Sequence, residues 1–376
     1  MATRQPAASP APARSAPQKT ASRRDRAGLQ LIDLALQGGG SHGAFTWGVL
    51  DRLLDDESLE IAAISGTSAG AMNAVALAAG LMEGGREGAR TCLARFWKRV
   101  AEASPFHHFE SGPLGHWVGA HNPWLQQFTA TWQQASQFIG SQFSPYQFNP
   151  LNLNPLRDIL AETVDFERVR ACHKTRLYIA ATQVRTGALR VFDQSQLTPD
   201  MVLASACLPL LFQAVEIDGE AYWDGGYAGN PSLMPLITDS PADDLLLVQI
   251  NPRERAELPT RTSDILDRIN EVTFNASLLK ELRSIALLKR LIEDEGRPGH
   301  QYRNPLFQRA EALRLHLIDG GASLSSLGAN SKTQTSMSFL NRLHNLGHSA
   351  ADQWLAKHRA DIGQRSSHDI FQALTA

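Results

Sequence analysis

Short apolar runs recur along this chain at positions that suit buried strands. Residues 31–36, 61–64 and 245–250 are almost wholly apolar, and runs of this length are typical of strands covered on both faces of a parallel sheet. A hairpin is predicted on either side of the Asp218-Gly219 turn. The same reasoning predicts further strands over residues 177–184, 189–192, 214–217, 221–223 and 313–318.

Helical patterns lie between these runs. Residues 44–55 place their apolar side chains in one stripe. Residues 69–81 are almost wholly small and apolar, so this helix is expected close against the sheet. Because strands and helices alternate, we predict an α/β fold, a three-layer α/β/α arrangement with a mainly parallel central sheet. Further helices are predicted over residues 90–102, 155–172, 199–207 and 262–295.

The composition is that of a globular protein with no preference for nucleic acid. Hydrophobic residues make up 43% of the 376 positions, enough for a sizeable core. Lys and Arg number 36 against 38 Asp and Glu, so the basic excess of nucleic-acid binders is missing. The three cysteines form no Cys-x-x-Cys pair. This argues against a disulfide framework or a zinc site and fits a reducing compartment.

Residues 1–28 differ from the rest of the chain. They are rich in Ala, Pro, Ser and Arg and contain one acidic residue, Asp25. A disordered basic tail is the simpler interpretation, and an Arg-rich organelle transit peptide is the alternative. We find neither a signal peptide nor an apolar run long enough to span a membrane. We therefore expect a cytoplasmic protein whose membrane association, if any, is peripheral.

Residues 111–156 contain no Asp, Glu, Lys or Arg. Aromatic residues are dense here, and helical spacing places Trp124, Phe128 and Trp132 on one face. We therefore predict a helical, aromatic-rich insert over about residues 105–156. One interpretation is a substrate cap or a bilayer-contacting surface. The other is an ordinary helical excursion packed on the core or on a sister subunit.

Two glycine-rich turns, each between a predicted strand and a predicted helix, carry the candidate chemistry. The first, at residues 38–43, reads Gly-Gly-Gly-Ser-His-Gly, and the second, at residues 66–70, reads Gly-Thr-Ser-Ala-Gly. Backbone amides in the first can bind an oxyanion at a helix N-terminus. Ser68 in the second is a candidate nucleophile, because a Gly-x-Ser-x-Gly turn between strand and helix holds its serine in a strained position.

The first turn also fits a dinucleotide-binding fingerprint, with glycines at positions 38, 40 and 43. That fingerprint requires an acidic residue about 20 positions later, at the end of the second strand. Here that strand runs into Ser65 and Gly66 with no acid, so the dinucleotide interpretation is rejected. The oxyanion interpretation, which uses the amides of Gly39 and Gly40, needs no further residue.

The general base has two candidates. One is Asp224, at a predicted strand end and followed by two glycines that leave the carboxylate unobstructed; an ordinary Asp-Gly turn is the alternative for this motif. The other is a late histidine, as in the Ser-His-Asp triad of α/β-hydrolases. None of the late histidines follows a clear terminal strand; they are His300, His316, His344, His348, His358 and His368.

Together these motifs resemble those of patatin-like phospholipases, in particular the bacterial branch of that family. The matching blocks are the glycine run at 38–43, the serine turn at 66–70 and the Asp-Gly-Gly at 224–226, in the family's order. An Ala-Ser-x-x-x-Pro block at residues 204–209 also matches. The resemblance covers about residues 29–372. It implies a patatin-like fold with a helical aromatic-rich insert and a helical C-terminal region.

The resemblance implies a serine acyl hydrolase that cleaves fatty-acyl esters of phospholipids or related lipids through an acyl-enzyme. Ser68 and Asp224 would form a catalytic dyad, and the oxyanion hole would be made by Gly38, Gly39 and Gly40. The expected partners are a lipid substrate and a peripheral membrane contact. Neither a cofactor nor a metal is expected, calcium included. The remaining motif positions are Gly43, Gly66, Gly70, Gly225 and Gly226.

One residue departs from the family pattern. Many members have an arginine in the glycine loop where this chain has His42, which carries a charge only in part at pH 7. We predict a catalytic domain over residues 29–255 and a mainly helical C-terminal region over residues 256–376 packed on it. Two other functions stay open: an α/β-hydrolase-type esterase with a Ser-His-Asp triad, and a catalytically silent lipid-binding module.

Overall fold

The computed structural model of the protein describes residues 29–103, 144–255, 257–295 and 302–375. The predicted tail lies outside these residues. So does most of the predicted insert, including the aromatic face with Trp124, Phe128 and Trp132. The expectations for these two segments therefore stay predictions.

A mainly parallel sheet forms the centre of the described fold, as predicted. The strand order is β5-β6-β3-β2-β1-β7-β8, and β4 pairs with β3. The pairs β3–β2, β2–β1, β1–β7 and β7–β8 are parallel, while β4, β5 and β6 form antiparallel pairs. The strands are β1 (Gln30–Leu36), β2 (Leu59–Thr67), β3 (Arg176–Gln183), β4 (Leu189–Asp193), β5 (Val215–Ile217), β6 (Glu220–Asp224), β7 (Asp244–Gln249) and β8 (Arg314–Asp319).

The helices follow the predicted alternation, with two differences. The predicted helix over 155–172 is two helices. The Asp165 side chain accepts hydrogen bonds from the first free amides of the second helix and so caps its N-terminus. Helix α2 spans both helices predicted over 69–81 and 90–102, with a break at Gly84 and Gly85. The described helices are α1 (Gly43–Leu53), α2 (Ala69–Glu102), α3 (Pro145–Phe148), α4 (Pro155–Thr163), α5 (Phe166–Ala171), α6 (Pro199–Ser205), α7 (Met234–Asp239), α8 (Thr262–Glu295), α9 (Pro305–Ala312), α10 (Gly321–Ser325), α11 (Met337–His358) and α12 (Gln372–Thr375).

Each face of the sheet packs against its own set of helices. Successive side chains of a strand point to opposite faces, and on β1 this places Leu34 and Leu36 in one apolar core and Ala35 in the other. The first core contains the small residues of α2, and the second contains Leu278 and Leu282 of α8. The three-layer α/β/α prediction is therefore confirmed.

The C-terminal part of the chain contributes to the same sheet and the same core. Strand β8 pairs with β7 in parallel, and α11 packs against α1, the helix that follows the glycine loop. Residues that are distant in sequence are thereby brought beside the loop at 38–43. The division into regions 29–255 and 256–376 stays a prediction.

Candidate active site

Ser68 occupies a strained turn between β2 and α2. Its backbone angles, φ 53° and ψ −120°, lie in a region that residues other than glycine rarely adopt. Strain of this kind is typical of a nucleophile held between a strand and a helix. The residue is 7% exposed, and the positive end of the α2 dipole points toward it.

The register of the sheet brings Asp224 level with this serine. Thr67, the last residue of β2, pairs with Ala180 on β3. The next residue of β3, Ala181, pairs with Asp224 at the end of β6. Ser68 and Asp224 therefore meet at the same end of the sheet, although they lie far apart in the chain.

The carboxylate of Asp224 is fully buried and only partly satisfied. Oδ1 accepts a hydrogen bond from the amide of Gly226 at 2.7 Å, whereas Oδ2 has no hydrogen-bond partner among the described residues. Burial raises the pKa of Asp224 to about 7, against the lowering effect of the Gly226 amide, the Ser68 side chain and Lys332. A carboxylate with a pKa near 7 is suited to proton transfer near neutral pH.

The Ala-Ser-x-x-x-Pro block connects the backbones of these two residues. The amide of Ser68 donates to the hydroxyl of Ser205 at 2.9 Å. The amide of Asp224 donates to the carbonyl of Cys207 at 2.8 Å. One short segment after β4 therefore holds both the strained turn and the end of β6, which gives the block a physical reason to accompany the other motifs.

The glycine loop lies directly against Ser68. A Cβ on Gly38 would lie 2.7 Å from the Cβ of Ser68, so this position has no room for a side chain. The amide of Gly38 donates to Oδ1 of Asn230 at 2.7 Å and is already occupied, which differs from the oxyanion role that the resemblance implies for it. The amides of Gly39 and Gly40 are not used by the hydrogen bonds of the described residues.

The five remaining motif glycines surround the same two residues. Gly225 passes so close to the Ala180 carbonyl that a side chain there would collide with it, which lets the chain turn directly after Asp224. All five lie on elements that adjoin Ser68 or Asp224. Gly43 begins α1, Gly66 lies in β2, Gly70 lies in the first turn of α2, and Gly225 and Gly226 begin the short 3₁₀ turn after β6.

His42, the departure from the family pattern, is buried and uncharged at neutral pH. Burial, and then the positive charge of Lys332, lower the pKa of His42 to about 4. Its Nε2 shares a hydrogen bond with the Ser331 hydroxyl at 2.7 Å, and Nδ1 has no partner among the described residues. His42 therefore brings no positive charge to the loop at pH 7.

Three polar residues beside the loop were missed by the sequence reasoning. Asn230 accepts from Gly38 through Oδ1, and its Nδ2 donates to the carbonyl of Phe274 at 3.0 Å. Asn251 donates to the Gly38 carbonyl at 2.6 Å, and Lys332 donates to Asn251 Oδ1 at 2.8 Å. Asn251 follows the carboxyl end of a parallel strand, where ligand sites are common, but Lys332 carries no comparable signal.

Three of the late histidines in the described part of the chain are hydrogen-bonded to carboxylates other than Asp224. His316 is hydrogen-bonded to Asp244 at 3.0 Å and to Ser367 at 2.9 Å. Asp244 begins β7, at the opposite end of the sheet from the glycine loop. Two further pairs are His344 with Asp51 and His358 with Asp361. His300 lies outside the described residues.

The described residues offer no ready metal centre. Within the ranges that the structure covers, no three His, Cys, Asp or Glu side chains are grouped as metal ligands would be. The expectation of a reaction without cofactor or metal stays a prediction.

Comparison with known proteins supplies the assignment. A family model described as patatin-like phospholipase matches residues 34–237, which is more than half of the chain. The chain belongs to the patatin-like phospholipase family. At the level of the family, this makes it a lipid acyl hydrolase. The match contains Ser68, Asp224 and both glycine turns, but it ends before Asn251 and Lys332.

Two solved structures show weaker likeness to this patatin-like chain. VipD from Legionella pneumophila is 16% identical, with 87% of this chain and 67% of that chain covered and a TM-score of 0.38. ExoU of the type III secretion system of Pseudomonas aeruginosa, in complex with SpcU, is 13% identical, with 92% and 76% covered and a TM-score of 0.26. At these scores neither likeness adds to the assignment. No match was found among curated proteins.

Proposed function

We propose that this patatin-like protein hydrolyses fatty-acyl esters of phospholipids or related lipids with Ser68 as nucleophile and Asp224 as general base. The observation that carries the proposal is the pairing of a strained serine with a buried carboxylate. Thr67, which precedes Ser68, and Asp224 pair with adjacent residues of β3, and Oδ2 of Asp224 is without a partner among the described residues. A catalytic serine needs such a neighbour to take its proton.

The reaction proceeds through an acyl-enzyme. The Ser68 oxygen attacks the ester carbonyl carbon while its proton passes to Asp224. The tetrahedral intermediate then collapses, the C–O bond to the leaving alcohol breaks, and Asp224 returns the proton to that alcohol. Water attacks the acyl-enzyme, again giving its proton to Asp224. The fatty acid leaves as the Ser68 oxygen regains the proton.

The oxyanion of the tetrahedral intermediate is stabilised in this scheme by the amides of Gly39 and Gly40. Both are unused by hydrogen bonds in the described residues, and both lie at the start of a short helical turn. Gly38 has a different part: its missing side chain lets the loop approach Ser68, and its amide is held by Asn230.

The test of this mechanism uses a soluble p-nitrophenyl ester and a fluorophosphonate probe. We expect Ser68→Ala to lose both turnover and covalent labelling, and Asp224→Ala to lose turnover. The exposed hydroxyl of Ser284 on α8 provides a matched control, so Ser284→Ala should retain both. Full activity of Ser68→Ala would contradict the proposal. Absence of labelling on the folded wild-type protein would favour the silent lipid-binding module.

Peripheral membrane contact is a second part of the proposal. Leu210 and Leu211, 70% and 44% exposed, directly follow the block that holds Ser68 and Asp224. The neighbouring Tyr146 and Phe148 are also exposed, and the Tyr146 hydroxyl accepts a hydrogen bond from the backbone at Ala214. Large apolar side chains exposed together are typical of lipid-contacting surfaces. In the described part of the chain, no helix is long and apolar enough to cross a bilayer.

A double change, Leu210→Ser with Leu211→Ser, separates this contact from the chemistry. It should reduce hydrolysis of phosphatidylcholine vesicles much more than hydrolysis of the soluble ester. Leu287→Ser, an exposed leucine on α8, is the control and should change neither. Equal losses on both substrates would contradict the membrane contact while leaving the mechanism intact. Cytoplasmic localisation stays a prediction.

A further inference from the structure

Lys332 lies beside the glycine loop, on a segment beyond the region matched by the family. The 3₁₀ turn Ala329–Thr333 packs against the turn Gly40–His42. The backbone carbonyl of Lys332 fills the space where a side chain on Gly40 would be, and Gly40 has a φ of +59° that also favours glycine. The loop and this distant segment therefore have complementary shapes.

The ammonium group of Lys332 is held in place by neutral oxygens. Nζ donates to Asn251 Oδ1 at 2.8 Å and to Asn270 Oδ1 at 2.9 Å, and it lies 5.7 Å from the centre of the Phe274 ring. Asn251 in turn donates to the carbonyl of Gly38 at 2.6 Å. Asn251 thus links the ammonium group of Lys332 to the loop that touches Ser68. Both hydrogen-bond acceptors of the ammonium group are neutral, so they do not neutralise its charge.

Other charged groups around Lys332 come from α8 and from the loop before it. The negative charge of Glu271 raises the pKa of Lys332, but Glu271 is also paired with Arg255 and Arg268. Asp267 contributes from the same helix. On the side of the catalytic residues, the positive charge of Lys332 lowers the pKa of both Asp224 and His42. Asp224 also has Tyr227 and Cys207 as neighbours.

We propose that Lys332 supplies positive charge to this active site and favours the ionised form of the Asp224 carboxylate. The proposal rests on the Ser68–Asp224 dyad. Lys332 acts on the reaction through the charge of Asp224, so it is a positioning residue and not a catalytic one. A family domain that ends at residue 237 therefore obtains part of its active site from the C-terminal region.

The charges involved predict a specific pH dependence. Burial lowers the pKa of Lys332 to about 8, so the group is mainly charged at pH 7 and loses its charge above pH 8. Burial raises the pKa of Asp224 to about 7, and Lys332 counters that increase. Removing the lysine should therefore raise the pKa of Asp224 further, and this should matter most where Asp224 is only partly ionised.

The experiment measures kcat on a soluble ester from pH 5 to pH 9. In Lys332→Met, the acidic limb should move up by about one pH unit, with roughly a tenfold loss below pH 6. The curves of the wild type and this variant should converge above pH 8, where Lys332 is itself uncharged. Lys332→Gln, which keeps N–H donors, should behave like Lys332→Met, whereas Lys332→Arg should keep the limb in its original place.

Lys280→Met, at an exposed position on α8, controls for the loss of one positive charge and should leave the profile unchanged. An unmoved acidic limb in Lys332→Gln, or an equal loss at every pH, would show that Lys332 only anchors the loop. If Ser68→Ala is inactive in the same assay, either of these outcomes contradicts the role of Lys332 and leaves the dyad intact. If Ser68→Ala is active, the dyad fails and the inference fails with it.

Discussion

The backbone amide of Ser68 donates a hydrogen bond to the side-chain hydroxyl of Ser205 at 2.9 Å. Ser205 is fully buried at the end of α6, and Ser68 has a φ of 53°. A residue held in such a region costs about 1–3 kcal/mol, so the surrounding structure must maintain it. The Ser205 hydroxyl is part of that support, because it accepts the hydrogen bond of the Ser68 amide.

Ser205→Ala should therefore weaken both folding and catalysis. The buried amide of Ser68 would lose its partner, which costs about 1–3 kcal/mol, and the nucleophile would be less well placed. We expect the free energy of unfolding in urea to fall by that amount and kcat to fall with little change in KM. Ser284→Ala removes an exposed hydroxyl and should change neither. An unchanged kcat in Ser205→Ala would show that the strained turn needs no support from α6.

Asp224→Asn should make the protein inactive and more stable than the wild type, by a margin that grows as the pH rises. Burial raises the pKa of Asp224 from 3.8 to about 7, so the folded state keeps a proton that the unfolded state releases between these values. The wild type therefore loses stability as the pH rises through that window, while asparagine does not titrate. The gain in Tm of the variant should grow from pH 4 to pH 7. A constant difference would contradict the burial of an ionisable carboxylate here.

His42→Gln should keep activity at pH 7, because the imidazole is already neutral there. Burial lowers the pKa of His42 from 6.5 to about 4, so the unfolded state binds a proton before the folded state does. The wild type consequently loses stability as the pH falls from 6.5 toward 4. Glutamine removes this sensitivity, which thermal unfolding at pH 4.5 and pH 7 would reveal. A large loss of kcat at pH 7 would instead assign His42 a part in the reaction.

His316→Gln should affect stability and leave the chemistry intact. His316 is fully buried between Asp244 and Ser367, at a distance from Ser68, so a neutral replacement should cost about 1–3 kcal/mol of unfolding free energy. The pH profile of kcat should not move. A shifted acidic limb would support the alternative of a Ser-His-Asp triad, which requires a late histidine.

Much of the fold could be predicted from the sequence because its signals are local. An apolar run followed by a glycine turn and an amphipathic stretch encodes a strand, a turn and a helix wherever it occurs. Ser68 directly follows a strand of this kind, and Asp224 is the last residue of β6. The helix over 155–172 was predicted as continuous because its apolar pattern persists through Asp165, where the side chain caps the second helix.

The sequence by itself determined the alternating elements, the glycine turns and the residue types available for acyl transfer. Only the tertiary structure decided which amides remain free, because the partner of the Gly38 amide, Asn230, comes from a distant loop. The charge of the site was decided in the same way. Burial makes His42 neutral and packing places Lys332 beside Gly40, and both depend on contacts between segments that share no local pattern.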